Sequence, residues 1–290
     1  MHKHLIFLLL LLGVSNSAKA QGTKVIGRII DAETKQAIPY VNIGVFQKNI
    51  GTVSDENGKF ELKFSGNSIA TDSIVFSHVG YQILKFAPTQ LENSIGDIQL
   101  YPASTLLQEV SVKLKKTVKK FLGRNGKGLG LLHYNFYTFS EKEVDDRLGK
   151  EAGVLLSVKK DCFLNELQMH ISSNEFSSLK FRMNLYKVVD GLPTELIMPR
   201  EVIFEIKEGY VGLFKLDLRS YNLYLSKDMG PVAATIQWVE SKKAKPNSKY
   251  FSLYSSLSTN SSFVYRAKSM ADWQSSKKQD LSLGFLSECE

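Results

Sequence analysis

The chain has 290 residues, of which 23% are charged and 43% hydrophobic. This composition is typical of a globular protein and excludes a wholly disordered or collagen-like chain. Seven prolines and two cysteines exclude a proline-rich stalk and a disulfide-dense small fold. The net charge of +8 is modest for this length, so no nucleic-acid partner is expected.

The first twenty residues have the pattern of a cleavable export leader. Lys3 gives a basic start, Leu5–Leu12 is an unbroken apolar run, and Ala18-Lys19-Ala20 fits the small-x-small cleavage pattern. The apolar run is shorter than the roughly 20 residues of a membrane-spanning helix. We therefore expect residues 1–20 to be a signal peptide. The mature chain would begin at Gln21, carry no transmembrane segment and reside in the periplasm or at the cell surface. The alternative is a buried N-terminal helix or an uncleaved anchor.

Export would place the two cysteines in an oxidising compartment. Cys162 and Cys289 either form a disulfide or remain free thiols, because sequence spacing does not fix the distance between their Cα atoms. Cys289 lies one residue from the end of the chain, where polypeptides are often mobile.

Residues 21–112 alternate between short strands and polar turns, which predicts a first all-β domain. In Lys59–Phe64 the aromatic and aliphatic residues alternate with lysine and glutamate, so one face is apolar and the other polar. Six or seven such segments without a helical period predict a small antiparallel sandwich. The predicted strands are Lys24–Ile30, Ile38–Phe46, Lys59–Phe64, Asp72–Val79, Tyr81–Phe86 and Ile95–Tyr101.

Four segments of this domain carry a family resemblance: Gly27–Asp31, Ile38–Ile43, Gly51–Phe60 and Asp72–Tyr81. Together they resemble the carboxypeptidase-like regulatory domain, a prealbumin-like sandwich that is common in exported proteins of Bacteroidetes. Leu107–Val110 resembles the segment that follows this domain in outer-membrane receptors. The resemblance implies a seven-stranded sandwich that performs no hydrolysis and serves as a mounting or interaction module.

The sequence contains no recognisable metal site. A carboxypeptidase zinc site needs a histidine and a glutamate close together and a distant second histidine. His78, His133 and His170 have no carboxylate at such spacing. The segment Asp55-Glu56-Asn57-Gly58 alternates like a calcium loop but lacks the later bidentate glutamate, so we interpret it as a hairpin turn. No cofactor is expected.

Residues 113–130 are predicted to be a basic, glycine-rich linker. Leu114, Val118 and Phe121 recur at helical spacing among five lysines, which predicts a short amphipathic linker helix. Such a helix either packs on one domain or rests on an anionic membrane surface. Gly123–Gly130 lacks the Gly-x-x-x-x-Gly-Lys-Ser/Thr pattern of a phosphate loop and is interpreted as flexible chain.

Residues 131–290 predict a second, larger β domain. In Ser178–Val189 apolar residues alternate with Lys180, Arg182 and Asn184, so one face is apolar and the other charged. Nine or ten strand-like segments predict a jelly-roll-like sandwich. Three segments resemble jelly-roll modules of secreted bacterial proteins, whose architecture is that of galactose-binding or carbohydrate-binding domains: Phe181–Glu195, Lys215–Tyr224 and Ala234–Glu240.

Aromatic side chains are the weak candidates for a ligand site. Sugar sites stack rings on exposed aromatic residues, and Trp273, Tyr250 and Tyr254 are available for that role. Trp238 lies in an apolar strand and is predicted to be core. No catalytic residue is predicted, because neither Gly-x-Ser-x-Gly nor His-Glu-x-x-His occurs. The acidic group formed by Glu143, Asp145, Asp146 and Glu151 is interpreted as a solvated loop rather than as a glycosidase pair.

These patterns predict a non-catalytic exported envelope protein that mediates binding or assembly through β-sandwich modules. Its expected partner is an envelope protein or a glycan. One alternative is a carbohydrate-binding accessory protein, and a second is a hydrolase whose site the sequence does not reveal.

Overall fold

The computed structural model describes residues 22–65, 71–91, 96–103, 116–137, 144–258, 262–276 and 278–290. Within these ranges the chain forms twenty-two strands, the short helix α1 (Pro88–Leu91) and three 3-10 turns (Val144–Arg147, Arg219–Tyr221 and Lys227–Met229). The predicted all-β fold is therefore confirmed. The predicted leader lies outside the described residues. No helix among those described is long and apolar enough to cross a membrane.

The first seven strands form two sheets, which we call the first unit. They are β1 (Gly22–Asp31), β2 (Asn42–Val45), β3 (Gly51–Val53), β4 (Lys59–Ser65), β5 (Ile74–Ser77), β6 (Leu84–Phe86) and β7 (Asp97–Leu100). One sheet has the order β4-β1-β7 and the other β3-β2-β5-β6. Apolar side chains such as Ile29, Ile43, Leu62 and Phe76 are buried together in one core. The predicted seven-stranded sandwich is confirmed.

The Asp55–Gly58 turn joins β3 to β4, which lie in different sheets, so it is a turn between sheets rather than a hairpin. One Asp55 carboxylate oxygen accepts hydrogen bonds from the backbone N–H groups of Asn57 and Lys59, both at 2.8 Å. Gly58 has φ +73°, and a Cβ there would lie 2.4 Å from the carbonyl oxygen of Ile29. The turn therefore requires glycine at this position.

The remaining fifteen described strands form two larger sheets, the second unit. They are β8 (Val118–Gly123), β9 (Leu132–Asn135), β10 (Glu151–Leu156), β11 (Cys162–Asn174), β12 (Phe176–Val189), β13 (Leu192–Leu196), β14 (Val202–Lys207), β15 (Gly212–Asp217), β16 (Tyr224–Leu225), β17 (Val232–Lys243), β18 (Phe251–Leu257), β19 (Phe263–Arg266), β20 (Gln274–Ser276), β21 (Gln279–Leu281) and β22 (Leu283–Cys289). The seven-stranded sheet has the order β13-β12-β17-β10-β19-β20, with β14 also paired to β12. The eight-stranded sheet has the order β21-β18-β11-β22-β8, with β15 and β16 on β11 and β9 on β18.

Trp238 on β17 lies in the core of the second unit, as predicted, and is fully buried. Its ring centroid is 5.2 Å from that of Phe176, 5.4 Å from that of Phe181 and 6.0 Å from that of Phe251. Each buried aromatic ring contributes about 1.5–3 kcal/mol of hydrophobic stabilisation. The apolar face predicted for β12 supplies Phe181 and its neighbours to this core.

Residues 118–123 differ from the predicted linker helix. They form β8, which pairs antiparallel with β22 at the edge of the eight-stranded sheet. Leu122 packs against the main core, and pairing with β22 satisfies backbone groups that a helix would satisfy internally. The second unit thus includes 118–123, and the predicted linker over 113–130 extends too far. Leu114, on which the helix prediction also relied, lies outside the described residues.

Cys162 and Cys289 are joined by a disulfide in this structure. Cys162 is the first residue of β11 and Cys289 the last of β22, and the two residues are direct partners in the antiparallel register. Of the two alternatives that the sequence leaves open, the structure contains the disulfide, which links two neighbouring strands of the eight-stranded sheet.

Candidate functional site at the joint between the two units

The charged face of the seven-stranded sheet is buried, in part beneath the first unit. Arg182 and Asn184 on β12 are only 2% and 1% exposed, although they belong to the face that alternation marks as charged. On this face the segment from Ile38 to Asn42, which leads into β2, contacts β12 and β17 through its polar atoms. We call this contact region the joint.

The guanidinium of Arg182 is the centre of the joint. Its Nε and Nη2 donate to Oε1 of Glu201 at 2.8 and 2.5 Å. Its Nη1 donates to the side-chain oxygens of Gln237 at 2.9 Å and Asn42 at 3.3 Å, and Nη2 also donates to the carbonyl oxygen of Tyr40. One buried cation therefore bonds both units, with its charge balanced by Glu201.

A second polar group lies beside Arg182. The hydroxyl of Tyr40 donates to Glu240 at 2.9 Å and accepts from Lys180 Nζ at 2.9 Å, while Lys180 and Glu240 are 3.0 Å apart. Burial raises the pKa of Tyr40 above its ordinary value, and the adjacent Glu240 raises it further. Burial alone would lower the pKa of Lys180, but its hydrogen bonds to Tyr40 and Glu240 raise it overall. Tyr40 stays a neutral phenol between two opposite charges.

Glu151 on β10 forms a third buried group on the same face of the sheet, and it is 0% exposed. Arg266 donates to its Oε2 from Nε at 2.9 Å and from Nη2 at 2.6 Å. Asn184 Nδ2 and the Tyr186 hydroxyl donate to Oε1 at 2.8 and 3.0 Å, and the Thr235 hydroxyl donates to the same oxygen. Burial and the nearby charge of Glu151 raise the pKa of Tyr186.

The two units approach closely at Gly44 on β2. A Cβ at Gly44 would lie 2.2 Å from the carbonyl oxygen of Ser269, and the Ser269 hydroxyl donates to Asn42 at 3.1 Å. Only glycine lets the β2 backbone reach this loop of the second unit.

We expect Gly44→Ala to lower the free energy of unfolding by about 1–3 kcal/mol, because the added methyl group meets backbone that cannot move independently. Gly126→Ala is the matched control: a Cβ there meets nothing within 4 Å, and its effect should stay within about 0.5 kcal/mol. Urea unfolding of both variants makes the measurement. Equal effects at the two glycines would contradict the close approach at Gly44.

His78 belongs to the first unit and contacts the joint. Its Nε2 is 3.2 Å from Oε1 of Glu201, the carboxylate that also binds Arg182. Burial would raise the pKa of Glu201, but the contact with His78 and the charge of Arg182 lower it overall below its ordinary 4.5. No carboxylate lies at ligand spacing from His78 in the sequence, because the fold brings Glu201 to it from a distant part of the chain.

The shifted pKa of Glu201 predicts loss of stability in acid. Because the folded pKa is below the unfolded one, the stabilisation is present above pH 4.5 and is lost as the pH falls through the lower folded value. Glu201→Gln should remove this part of the pH dependence, so the stability gap between parent and variant narrows as the pH drops. Urea unfolding at several pH values tests this. Glu195→Gln, at an exposed ion pair with Lys187, should retain the parent's pH profile, whereas a constant gap for Glu201→Gln would contradict the prediction.

A cleft of about 640 Å³ opens beside the joint and is lined by residues of both units, including Lys59, Phe60, Asp146, Glu240 and Lys268. Both signs of charge occur on its walls. The cleft is large enough to accept a side chain or a small polar group of a partner.

The structure places the three aromatic candidates apart from the joint's centre and in different surroundings. Trp273 is half-buried, with the Arg266 guanidinium 4.6 Å from its ring centroid and Tyr186 at 5.4 Å. Tyr250 is exposed and packs edge-on against Tyr137. Tyr254 on β18 lies against His133, with Lys127 Nζ 5.5 Å from its ring. Trp273 lies in the seven-stranded half of the second unit and Tyr254 in the eight-stranded half, so the three do not form one platform.

Sequence reasoning missed Arg182, Glu201 and Glu151 as site residues. The prediction that Glu151 belongs to a solvated acidic loop is wrong, because Glu151 lies within β10 and is fully buried. Asp146 is exposed, and the side chains of Glu143 and Asp145 lie outside the described residues. The only signal in the sequence was the alternation along Ser178–Val189. It places Arg182 on the face of the strand opposite the apolar one, which is a face that a second layer can cover.

Comparison with known proteins gives a family match for the first part of the chain. Residues 25–112 match the family model of the CarboxypepD_reg-like domain, which confirms the resemblance seen in the sequence. No curated protein matches the chain.

Solved structures are similar to this chain only at low identity. The cysteine protease and lectin-like domains of Cwp84, a surface layer associated protein of Clostridium difficile, share 12% identity at a TM-score of 0.34, over 49% of this chain and 32% of that one. This chain thus spans about a third of that structure. The clostridial cysteine protease Cwp84 after propeptide cleavage shares 13% identity at a TM-score of 0.40, over 92% and 71% of the two chains. The structure of the infectious bursal disease virus Gx strain shares 8% identity at a TM-score of 0.27, over 92% of this chain and 63% of that one.

Proposed function

We propose that this protein is a non-catalytic, exported component of a bacterial envelope that binds or assembles with another envelope protein. The first unit acts as a mounting module, and the second unit, proposed to be jelly-roll-like, makes the specific contact. The origin proposed from the sequence resemblance is a Bacteroidetes-type bacterium, and the proposed location is the periplasm or the cell surface.

The observation that carries this proposal is the joint centred on Arg182. A buried guanidinium that donates to Tyr40 and Asn42 on one side and to Glu201 and Gln237 on the other fixes the two units relative to each other. A protein that holds a partner benefits from such a fixed frame, because surfaces that are already ordered lose less conformational entropy on binding.

Two further observations support the proposal. The family model matched by residues 25–112 describes a regulatory-like domain, which fits a binding module. The disulfide between Cys162 and Cys289 fits an oxidising compartment outside the cytoplasm, since such bonds are rare in cytosolic proteins.

Export is tested by expressing the full chain in its native host. We expect the recovered protein to begin at Gln21 and Cys162 and Cys289 to resist alkylation until they are reduced. A cytoplasmic product that retains residues 1–20 and carries two reactive thiols would overturn the export part of the proposal.

Binding is tested by crosslinking the native protein in intact envelopes. We expect one reproducible envelope protein to be captured by the parent and by Lys187→Met, which alters an exposed ion pair, but to be lost with Arg182→Met. Capture that does not depend on Arg182 would contradict the role of the joint. A glycan-array signal lost in Trp273→Ala would support the carbohydrate-binding alternative instead. Turnover of peptides, esters or glycosides that a single substitution abolishes would overturn the non-catalytic assignment.

A further inference from the structure

Four exposed leucines lie on neighbouring segments of the eight-stranded sheet, in the chain that leads into β9 and at the end of β18. Leu129, Leu131 and Leu257 are 91%, 76% and 75% exposed, and Leu132 is 38% exposed. Leu132 on β9 is paired with Ser255 on β18, so Leu257, two residues further along β18, lies beside the chain that enters β9. We call Leu129, Leu131, Leu132 and Leu257 the leucine tip.

Two glycines flank Leu129, the most exposed leucine of the tip. Gly128 and Gly130 flank Leu129 and have φ of +62° and +72°, so the loop between β8 and β9 turns sharply on both sides of the leucine. An apolar side chain held almost entirely in water is unfavourable by itself, and several together mark a surface that meets an apolar environment.

The chain that leads into the tip is basic in sequence. From Val110 to Ser140 the sequence contains seven lysines and arginines and no aspartate or glutamate. Arg124 and Lys127 lie in the same loop as Leu129. Lys278 accepts a hydrogen bond through its carbonyl oxygen from the N–H of Ser258, next to Leu257, at 3.1 Å.

The acidic residue on the neighbouring strand is already bound. Asp280 lies opposite Ser256 in the register of β21 and β18, and its Oδ1 accepts from the Ser262 N–H at 2.7 Å and from the Ser262 hydroxyl at 3.0 Å. Asp280 keeps its negative charge in these bonds, but it is one carboxylate against the two cations of the loop, Arg124 and Lys127.

We propose that the leucine tip is a membrane contact that inserts into the interface of an anionic lipid bilayer. Leucines projecting from a loop and a strand end, with cations beside them, fit a lipid surface, where apolar side chains enter the acyl boundary and cations meet head-group phosphates. The charge argument selects lipid over a protein partner, because an anionic head-group layer accommodates the basic residues without a matching shape. This contact is independent of the partner proposed above.

The proposal is tested with the exported full chain and vesicles of equal parts phosphatidylcholine and phosphatidylglycerol. We expect the parent to sediment with these vesicles, more weakly at high salt and more weakly with phosphatidylcholine alone. Combining Leu129→Asp, Leu131→Asp and Leu257→Asp should weaken partitioning by about tenfold or more, because each change removes an apolar anchor and adds repulsion. Lys127→Glu alone should weaken it about fivefold.

The matched control combines Val189→Asp and Leu196→Asp in the hairpin of β12 and β13, where both residues are exposed but lie away from the tip. This control should bind vesicles like the parent. Because all substituted side chains are exposed, every variant should keep the parent's circular dichroism spectrum and thermal transition. Unchanged vesicle binding by the tip variant, or equal loss in the control, would overturn the proposal. A tip variant that loses only its crosslinked protein partner would also overturn the proposal, and so would loss of a self-association that the parent shows. In both cases the tip would be a protein interface.

Discussion

Arg182→Met is expected to lower the free energy of unfolding by about 3–5 kcal/mol, which is the usual cost of removing one partner from a buried ion pair. The substitution leaves the carboxylate of Glu201 partly buried without its guanidinium. It also leaves the Gln237 and Asn42 side-chain oxygens without this donor. Methionine fills part of the volume but donates no hydrogen bond.

The loss of stability in Arg182→Met should be concentrated at the joint. Hydrogen exchange should show the segment from Ile38 to Asn42 losing protection before the core strands around Trp238. Its polar contacts to the second unit include those centred on Arg182, and among the described residues only the small apolar cluster of Tyr40 with Val239 lies beside them. Urea unfolding followed by tryptophan fluorescence measures the stability, and exchange measured by mass spectrometry gives the location.

Two variants make the Arg182 result interpretable. Lys187→Met removes the cation of an exposed ion pair on the same strand and should cost no more than about 1 kcal/mol. Arg182→Lys keeps the charge but loses the planar fork, so its stability should lie between the parent and Arg182→Met. An Arg182→Met variant as stable as Lys187→Met, with unchanged exchange at Ile38–Asn42, would show that the joint does not depend on this guanidinium.

The strands and their apolar faces could be predicted from the sequence because they depend on local alternation. The apolar side chains of β12 and β4 fall on the buried face in both units, as their period-two pattern requires. Trp238 followed the same rule. Such predictions use only residues that are adjacent along one strand, and the sequence gives these directly.

The partners of the charged face could not be predicted in the same way. Arg182 bonds Asn42, which is 140 residues earlier in the chain, and nothing local distinguishes an arginine facing water from one facing a second domain. The helix predicted over residues 118–123 is wrong for a related reason. Its lysines and spaced apolar residues fit a helix period, but β22 offers an edge whose backbone groups pair with it, and tertiary pairing overrides weak local propensity.

The ligand-site prediction used composition where exposure was needed. Trp273 lies in a polar stretch, which suggested an accessible ring, yet Arg266 and Tyr186 pack against it. Arg266 and Tyr186 are held beside the Trp273 ring because both donate hydrogen bonds to Glu151. The surroundings of Trp273 therefore depend on a buried carboxylate that the sequence places in an apparently solvated acidic run.

Glu151→Met is expected to lower the free energy of unfolding by about 3–5 kcal/mol, because it leaves the Arg266 guanidinium buried without a counter-ion. Asn184, Tyr186 and Thr235 lose their shared acceptor at the same time. The Trp273 ring, which packs on Arg266, should become more mobile and its fluorescence should change. Glu205→Met, at an exposed glutamate whose carboxylate accepts a hydrogen bond from the Ser178 hydroxyl, is the matched control and should cost about 0.5–1 kcal/mol.

The pairing itself is measured by a double-mutant cycle. Glu151→Met combined with Arg266→Met removes both charges and leaves neither one buried alone, so the double variant should be more stable than the sum of the two single losses predicts, by about 1–3 kcal/mol. Part of the loss should persist, because Asn184 and Thr235 still lack an acceptor. Strictly additive losses would mean that Glu151 and Arg266 do not interact, and that the buried polar group around Glu151 is held by hydrogen bonds alone.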